Sequence, residues 1–226
     1  MDTDNLTAAR SRLLRWRENP AAMVSEEFHV EHIDAWQVKA LDAFASRDPD
    51  KIRISLQACV GPGKSAVLCW CGWNFLACYG EPGEHPKGAA VAITWENIQD
   101  NLWPEFSKWQ SRSDFFRAAF QWTKTRVFAK DHPETWFISA RSWPKTASAD
   151  DRGKTLSGLH SKYVLALIDE SGEIPVEVLK AAEQALSTAP KFGKILQAGN
   201  SSSLDGMLYA ASSVQRHLWF VIRITG

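Results

Sequence analysis

This sequence lacks an excess of charge of either sign, long apolar runs and repeats. Its 26 lysines and arginines balance 26 aspartates and glutamates, so no overall positive field indicates nucleic-acid binding, although a local basic patch would be compatible with it. No apolar run approaches the roughly eighteen residues of a transmembrane helix, and the N-terminus lacks the pattern of a secretory signal. Internal repeats and low-complexity tracts are absent too. We therefore expect a soluble, intracellular protein that does not bind a membrane.

Cysteine is scarce as well, and its spacing argues against a metal site. The four cysteines, Cys59, Cys69, Cys71 and Cys78, fall within one short stretch of the chain. No second pair of ligands follows at the spacing of a zinc site, so we expect reduced thiols, with a packing role for the last three. The reactivity of Cys59 stays open.

The order of sequence patterns predicts an α/β architecture. The 226 residues, 45% of them hydrophobic, suffice for one domain with a sizeable core. Two helical segments come first, and strands and helices then alternate, which predicts a mostly parallel central sheet flanked by helices, with a mobile loop at 142–158. The expected helices are 4–18, 33–46, 65–79, 96–110 and 175–186, and the expected strands are 52–57, 89–94, 125–130, 135–140, 163–168, 194–198 and 217–224.

A phosphate-binding loop is the most informative motif. It lies between a strand-like segment, 51–55, and an apolar helix-like segment, 66–79, which is the context that such a loop requires. Loop N–H groups would point at the phosphates, and the helix would add the positive end of its dipole. In this motif the lysine reaches the β- and γ-phosphates, and the hydroxyl after it binds Mg²⁺. The residues assigned to nucleotide binding are Val60, Gly61, Pro62, Gly63, Lys64 and Ser65.

The loop departs from the usual pattern at one position. Ala58 stands where the G-x-x-x-x-G-K-[ST] pattern has glycine, so a chance Gly-Lys-Ser turn between a strand and a helix is the alternative. Gly61 and Gly63 still supply backbone freedom close to the lysine. The loop alone therefore leaves both interpretations open.

A second motif favours the phosphate-binding interpretation. The apolar run at 163–168 ends in Asp169 and Glu170, which is typical of a central strand buried on both faces. Open α/β sheets bind ligands at the carboxyl ends of their strands, where Asp169 would hold Mg²⁺ and Glu170 would polarise an attacking water. The alternative is an ordinary strand and a solvated acidic turn. Both motifs in this order predict a site that hydrolyses ATP or GTP, of which ATP is the commoner case.

Other polar residues are candidates for supporting roles. Asn200 follows a predicted strand and would sense the γ-phosphate or hold the catalytic water, or else form an ordinary turn. Gln37 has an amide that matches adenine, although a solvent-facing helical glutamine is commoner. Phosphoryl transfer also needs positive charge on its transition state, and Arg141 and Arg152 flank the predicted loop before the acidic strand. Further candidates for that charge are Arg112, Arg117 and Arg126.

Taken together, these residues resemble the ATPase domain of the large terminase subunit of tailed bacteriophages, the motor that packages DNA into a procapsid. The resemblance covers nearly the whole chain, and the order and spacing of its motifs make it specific. The segments that carry it are Trp36-Gln37, 60–65, 94–99, 102–105, 156–160, Asp169-Glu170, Ile174-Pro175 and Gly199-Asn200.

The resemblance implies a fold, an activity and partners. It implies a P-loop NTPase fold of the ASCE, RecA- and helicase-like class, with a helical segment at 1–50 and an ATPase core at 51–226. It implies ATP and Mg²⁺ as cofactors and double-stranded DNA, the portal protein and the small terminase subunit as partners. The subunits would form a ring of five on the portal, in the host cytoplasm and not in the mature virion, and the isolated chain would be a monomer. Lys64 and Ser65 would bind phosphate and Mg²⁺, with Gln37 reading adenine and Asn200 coupling hydrolysis to movement.

Two departures from the family pattern change these expectations. Many members carry arginine or histidine where Val60 stands, so a cis arginine at that position is lost and Arg141 or Arg152 becomes the expected finger, acting on a neighbour's site. The family also continues into a nuclease domain, whereas this sequence stops at Gly226, so we expect no DNA cleavage from this chain. The rival functions are a helicase-like, nucleic-acid-stimulated ATPase and a nucleotide-binding assembly module without multiple turnover.

Overall fold

The fold is organised around one central sheet. A computed structural model describes residues 3–59, 61–142, 156, 158–200 and 203–224. Within them, eight strands form a single sheet in the order β3-β4-β5-β2-β6-β7-β1-β8. The strands are β1 (Arg53–Ala58), β2 (Lys87–Ala92), β3 (Phe120–Trp122), β4 (Arg126–Ala129), β5 (Phe137–Ser142), β6 (Tyr163–Ile168), β7 (Phe192–Gly199) and β8 (Phe220–Ile224).

Strand direction confirms the expected mostly parallel sheet. Neighbouring strands are parallel throughout the series β5, β2, β6, β7, β1 and β8. The antiparallel pairs are β3 with β4 and β4 with β5. All six residues of β6 are buried, as its continuous apolar sequence predicts. One strand, β7, separates β1 from β6, so the carboxyl ends of β1 and β6 lie about 10 Å apart at one edge of the sheet.

Helices cover both faces of the sheet. Among them, α4 is buried on most of its surface, as a helix without a polar face requires. A π-helical segment, Ile98–Leu102, joins α5 to α6. In the described residues the helices are α1 (Thr3–Glu18), α2 (Pro20–Glu27), α3 (Ala35–Ala45), α4 (Lys64–Cys78), α5 (Trp95–Asn97), α6 (Trp103–Ser111), α7 (Asp114–Ala119), α8 (Glu177–Ser187) and α9 (Met207–Ser212). None of them is long and apolar enough to cross a membrane.

The sheet separates two hydrophobic clusters because side chains alternate between its faces. On β6, Leu165 and Leu167 join the cluster that contains α4, whereas Val164, Ala166 and Ile168 join the cluster under α8. The first cluster also buries the aromatic side chains of the N-terminal helices. Helices α1 to α4 and α6 therefore lie on one face, and α8 lies on the other.

Several elements differ from the sequence-based expectations. The pattern at Asn19-Pro20 predicts only the end of a helix, but Pro20 begins α2, where the missing N–H of proline is not needed and the Asn19 side chain accepts a bond from Ala22 N. The helix expected over 96–110 is divided by the π-helical segment. The hairpin expected around 131–134 is confirmed as the antiparallel β4–β5 pair. Sequence periodicity missed the short elements α7, β3 and α9, and most of the loop expected at 142–158 lies outside the described residues.

The close approach of α6 to α4 leads to a stability prediction. A Cβ atom on Gly72 of α4 would lie 2.6 Å from a ring atom of Phe106 of α6. We expect Gly72→Ala to lower the free energy of unfolding by about 1–3 kcal/mol, because the ring has no room to move in a packed core. Urea denaturation measures this change.

The matched control is a double-mutant cycle with Phe106→Leu, which removes the ring atoms that a new Cβ would meet. Gly72→Ala should cost less stability in that background than in the wild type. Helix propensity alone predicts the opposite sign, a gain of up to about 1 kcal/mol for alanine. A gain in the wild-type background would therefore contradict the close helix contact.

Candidate functional site

The loop between β1 and α4 has the backbone that a phosphate-binding loop requires. Gly61 and Gly63 have φ angles of 97° and 92°, in the left-handed region that glycine adopts without a steric penalty. Gly63 immediately precedes α4, and Lys64 is the first residue of this 15-residue helix. The loop thus presents the positive end of a long buried helix at the carboxyl edge of the sheet.

Lys64 connects the loop to the strand beside it. Its Nζ atom donates to the carbonyl oxygens of Ala58 (3.2 Å) and Cys59 (2.6 Å) and to Oδ1 of Asn200 (3.0 Å). Burial lowers the pKa of this lysine, while the nearby carboxylates of Glu170 and Asp169 act in the opposite direction. Through these three bonds, Lys64 joins the end of β1 to Asn200, the residue that follows β7.

Ser65 and Asp169 provide two oxygen atoms that fit a magnesium ion. Ser65 Oγ donates to Asp169 Oδ2 at 3.2 Å, and the Asp169 side chain is buried. Mg²⁺ is commonly held by one or two protein oxygens, with water and phosphate oxygens completing its coordination, so this pair suits the ion. Burial first, and the neighbouring Glu170 second, raise the pKa of Asp169 to about 6. A cation at this position would favour the charged carboxylate.

Glu170 is presented to the cleft by an unusual backbone. Its φ angle is 53°, one of two positive values among the described non-glycine residues, and its N–H donates to Asp169 Oδ1 at 3.1 Å. A non-glycine residue in this region stores on the order of 1 kcal/mol of strain, and such residues cluster at active sites. Unlike its neighbour, Glu170 is exposed, so its carboxylate is accessible to water.

The end of β7, just before Asn200, lies against the turn that follows the two acids. Gly199 packs so closely that an added Cβ would be 3.0 Å from the N atom of Ser171, and Ser171 Oγ donates to Ala198 O at 3.2 Å. Asn200 itself accepts from Lys64. Gly199 and Asn200 at the end of β7 therefore contact the turn after Glu170 and Lys64, respectively.

Residues 61–66, Asp169, Glu170 and Asn200 line one cleft of about 460 Å³. The structure thus brings the predicted loop, both predicted acids and Asn200 together. It adds a wall from the π-helical segment and α6, formed by Asp100, Asn101, Glu105 and Lys108. The sequence analysis gave none of them a role, although Glu105 ends one of the segments that carry the resemblance. Their position just after β2 was a usable signal, because β2 is parallel to β6 and its carboxyl end reaches the same edge.

Gln37 is buried behind the loop. Its Oε1 atom accepts from Asp34 N at 3.0 Å, and a Cβ on Gly63 would lie 3.2 Å from its Nε2 atom. The solvent-facing alternative is therefore wrong, since this side chain is only 8% exposed. Gln37 is not among the residues that line the cleft, and its adenine-reading role stays a prediction.

The predicted finger residues do not line the cleft in the described part of the chain. Arg141 lies on β5, opposite Val91 of β2, and its Nε atom donates to Ser139 Oγ at 2.9 Å. Burial and the charge of Arg126 lower the pKa of Arg141. Arg152 and the loop residue Val60 lie outside the described residues.

Comparison with solved structures confirms the fold. The large terminase of bacteriophage HK97 matches with a TM-score of 0.63 and 12% identity over 91% of this chain and 43% of its own. The large terminase ATPase domain of Thermus phage P74-26 matches with 0.54 and 19%, over 80% of this chain and 69% of its own. The large terminase of a further, thermophilic bacteriophage, in complex with ADP, matches with 0.54 and 10%, over 86% and 46%.

These similarities establish the fold of the chain and not its activity. The chain has the P-loop NTPase fold of the large terminase ATPase domains, so the resemblance seen in its motifs is confirmed at the level of the fold. It spans less than half the length of the HK97 terminase and of the ADP-bound terminase. The sequence matches no family model and no curated protein.

The buried carboxyl of Asp169 predicts a pH-dependent change in stability. Its pKa is about 6 in the folded protein and near 3.8 in the unfolded chain. Between pH 4 and pH 6 the carboxyl is therefore mostly protonated in the folded state and mostly charged in the unfolded state. Burial of the charged form therefore reduces stability above pH 6. We expect Asp169→Asn to raise the free energy of unfolding at pH 7.5 by about 1–3 kcal/mol, a gain that shrinks below pH 6 and disappears near pH 4. Thermal denaturation in EDTA without nucleotide measures it.

The control is Asp131→Asn, which removes an exposed carboxyl at the β4–β5 hairpin. It should leave the stability at pH 7.5 within about 0.5 kcal/mol of the wild type. A loss of stability for Asp169→Asn at that pH would show that its charge is well solvated or paired in the folded protein.

Proposed function

We propose that this chain is the ATP-hydrolysing motor domain of a DNA-packaging terminase, which drives double-stranded viral DNA into a procapsid. The observation that carries the proposal is the convergence of Lys64, Ser65, Asp169, Glu170 and Asn200 on one cleft. The fold shared with phage large terminases supports it. We take residues 51–226 as the ATPase core and 1–50 as its N-terminal helical segment.

In this proposal the loop and α4 bind the phosphates of ATP. The N–H groups of residues 61–65 and the helix dipole stabilise negative charge at the start of α4. Lys64 exchanges its carbonyl partners for the β- and γ-phosphates, and Ser65 and Asp169 hold Mg²⁺. The ion held there would supply positive charge to the phosphates. Gln37, directly behind Gly63, supports the loop and reads the adenine.

Glu170 would activate the attacking water. Its exposed carboxylate orients a water molecule and accepts a proton from it as the water oxygen bonds to the γ-phosphorus. The bond from that phosphorus to the bridging oxygen breaks, and the products are ADP and inorganic phosphate. Asn200 contacts Lys64, and the preceding Gly199 packs against the turn after Glu170, so Asn200 would link phosphate release to movement of the chain that follows β7.

The assembly is part of the same proposal. Arg141 and Arg152 would act as fingers on a neighbouring subunit, since Arg141 does not line its own cleft. Such an arrangement requires a ring, here of five subunits on the portal protein, with the small terminase subunit and duplex DNA as further partners. The isolated chain would then turn over slowly.

Replacement of Glu170 tests the catalytic proposal. We expect Glu170→Gln to lower the steady-state rate of ATP hydrolysis at least about 100-fold, because the amide cannot accept the proton, and to leave the dissociation constant of ATP within about threefold. Glu173→Gln is the matched control, since Glu173 is exposed in the next turn and does not line the cleft. Loss of ATP binding with Glu170→Gln would argue against a role as base.

The dependence on protein concentration separates the motor from its rivals. A motor with fingers in trans should show a specific activity that rises with concentration and falls in Arg141→Ala or Arg152→Ala. Duplex DNA should stimulate it without strand separation, whereas a helicase-like ATPase would prefer single strands and unwind duplexes. ATP binding without Glu170-dependent turnover at any concentration would indicate a binding module instead.

A further inference from the structure

Helix α6 is fixed against α4, the helix that carries the phosphate-binding residues. Gly72 of α4 leaves room for the ring of Phe106, whose backbone oxygen accepts from Trp73 Nε1 at 3.2 Å. Cys69 Sγ also donates to Leu102 O, just before α6, at 3.5 Å. Side chains on the exposed surface of α6 therefore keep a defined position relative to Lys64 and Ser65 of the same subunit.

Lys108 is a cation that α6 presents to the cleft. Its Nζ atom lies 3.0 Å from Oε1 and 3.3 Å from Oε2 of Glu105, and 5.0 Å from the centre of the Trp109 ring. The side chain is 48% exposed, so this pair contributes only a few tenths of a kcal/mol and can exchange partners. Glu105 also accepts from Trp109 Nε1 at 2.8 Å, so it keeps a donor when Lys108 leaves.

The position of Lys108 is on the γ-phosphate side of the cleft. Strand β2, which leads into α5 and α6, lies beside β6 on the side away from β1. The cleft is lined by the loop, by Ser65 and Asp169, and by Glu105 and Lys108 of α6. If Ser65 and Asp169 hold the ion that a nucleoside triphosphate carries, the α6 wall beside them would face the terminal phosphate.

Acidic side chains outnumber basic ones in the cleft, so a bound triphosphate would need more positive charge than Lys64 supplies. Of the described residues that line it, four are acidic (Asp100, Glu105, Asp169 and Glu170), and the side-chain cations are Lys64 and Lys108. A γ-phosphate brings further negative charge, which spreads over its oxygens during transfer. Lys108 is therefore the described residue that can add positive charge to those oxygens from within the same subunit.

We propose that Lys108 is a cis-acting catalytic residue that leaves Glu105 and binds the γ-phosphate of ATP. The proposal rests on the proposed ATPase function. ADP has no γ-phosphate, so with ADP bound Lys108 stays on Glu105. Exchange of this one partner makes α6 sensitive to the presence of the γ-phosphate.

The test compares the affinities of ATP and ADP. We expect Lys108→Ala to weaken ATP binding about tenfold, to leave ADP binding within about twofold, and to lower kcat at saturating ATP by at least about tenfold. Lys108→Arg keeps the charge and should restore most of the ATP preference. Glu105→Gln should strengthen ATP binding without changing ADP binding, because it frees Lys108 and its amide oxygen still accepts from Trp109. Titration calorimetry with Mg²⁺ present measures all of these constants.

The control is Lys130→Ala, which removes an exposed lysine that donates to Arg117 O and is not among the cleft-lining residues. It should change neither affinity. Equal weakening of ATP and ADP by Lys108→Ala would indicate a structural role and overturn the proposal, as would no change in either affinity. If the wild type binds neither nucleotide, the proposed ATPase function itself is wrong. If the wild type hydrolyses ATP but Lys108→Ala keeps the same preference for ATP over ADP, only the role of Lys108 is wrong.

Discussion

The burial of α4 between the sheet and the outer helices is the constraint on which the site depends. A helix that is apolar on every side is stable only when it is covered on every side. The sheet covers one side, and α1, α2, α3 and α6 cover the rest. Because the helix cannot shift within a close-packed core, its first residues, Lys64 and Ser65, are held at the carboxyl edge of the sheet. The position of the chemistry thus follows from packing along the whole length of the helix.

The site itself opposes stability. Asp169 is buried with its pKa raised toward 6, Lys64 is partly desolvated, and Glu170 has a backbone conformation that a residue other than glycine rarely adopts. Each of these features raises the free energy of the folded protein. A bound Mg²⁺ or phosphate would offset the cost at Asp169 and Lys64, and the strained backbone of Glu170 presents its carboxylate to the cleft. The apolar core on both faces of β6 offsets this cost. Such a division between a stable core and a strained edge is typical of active sites.

The sequence was informative where one interaction dominates a segment. Continuous apolar runs predicted β6 and α4 because complete burial leaves no other pattern, and the glycines around Pro62 predicted the loop because its backbone needs positive φ angles. The pattern at Pro20 predicted only the end of a helix, because proline is common at both helix ends and helix starts. The bond from Ala22 N to the Asn19 side chain shows that a second helix starts here. Gln37 was indistinguishable from a surface glutamine, since its burial depends on the loop that packs against it. Lys108 was missed although it follows β2 in the chain, because its place in the cleft depends on strand order, which the sequence pattern did not give.

Strand order also separates the roles proposed for the two candidate cations. Arg141 lies on β5, four strands from β1, or about 19 Å at normal strand spacing. It shares a sheet face with Ser139 and Phe137, and Phe137 belongs to the cluster under α8, whereas α4 lies on the opposite face. In the proposed ring such a residue would act on a neighbour's nucleotide, and its contribution would depend on assembly. Lys108 lies on α6, which packs against α4 of the same subunit, so its proposed contribution would not depend on assembly. If both proposals hold, ATP is recognised by each subunit alone and hydrolysed efficiently only in the ring.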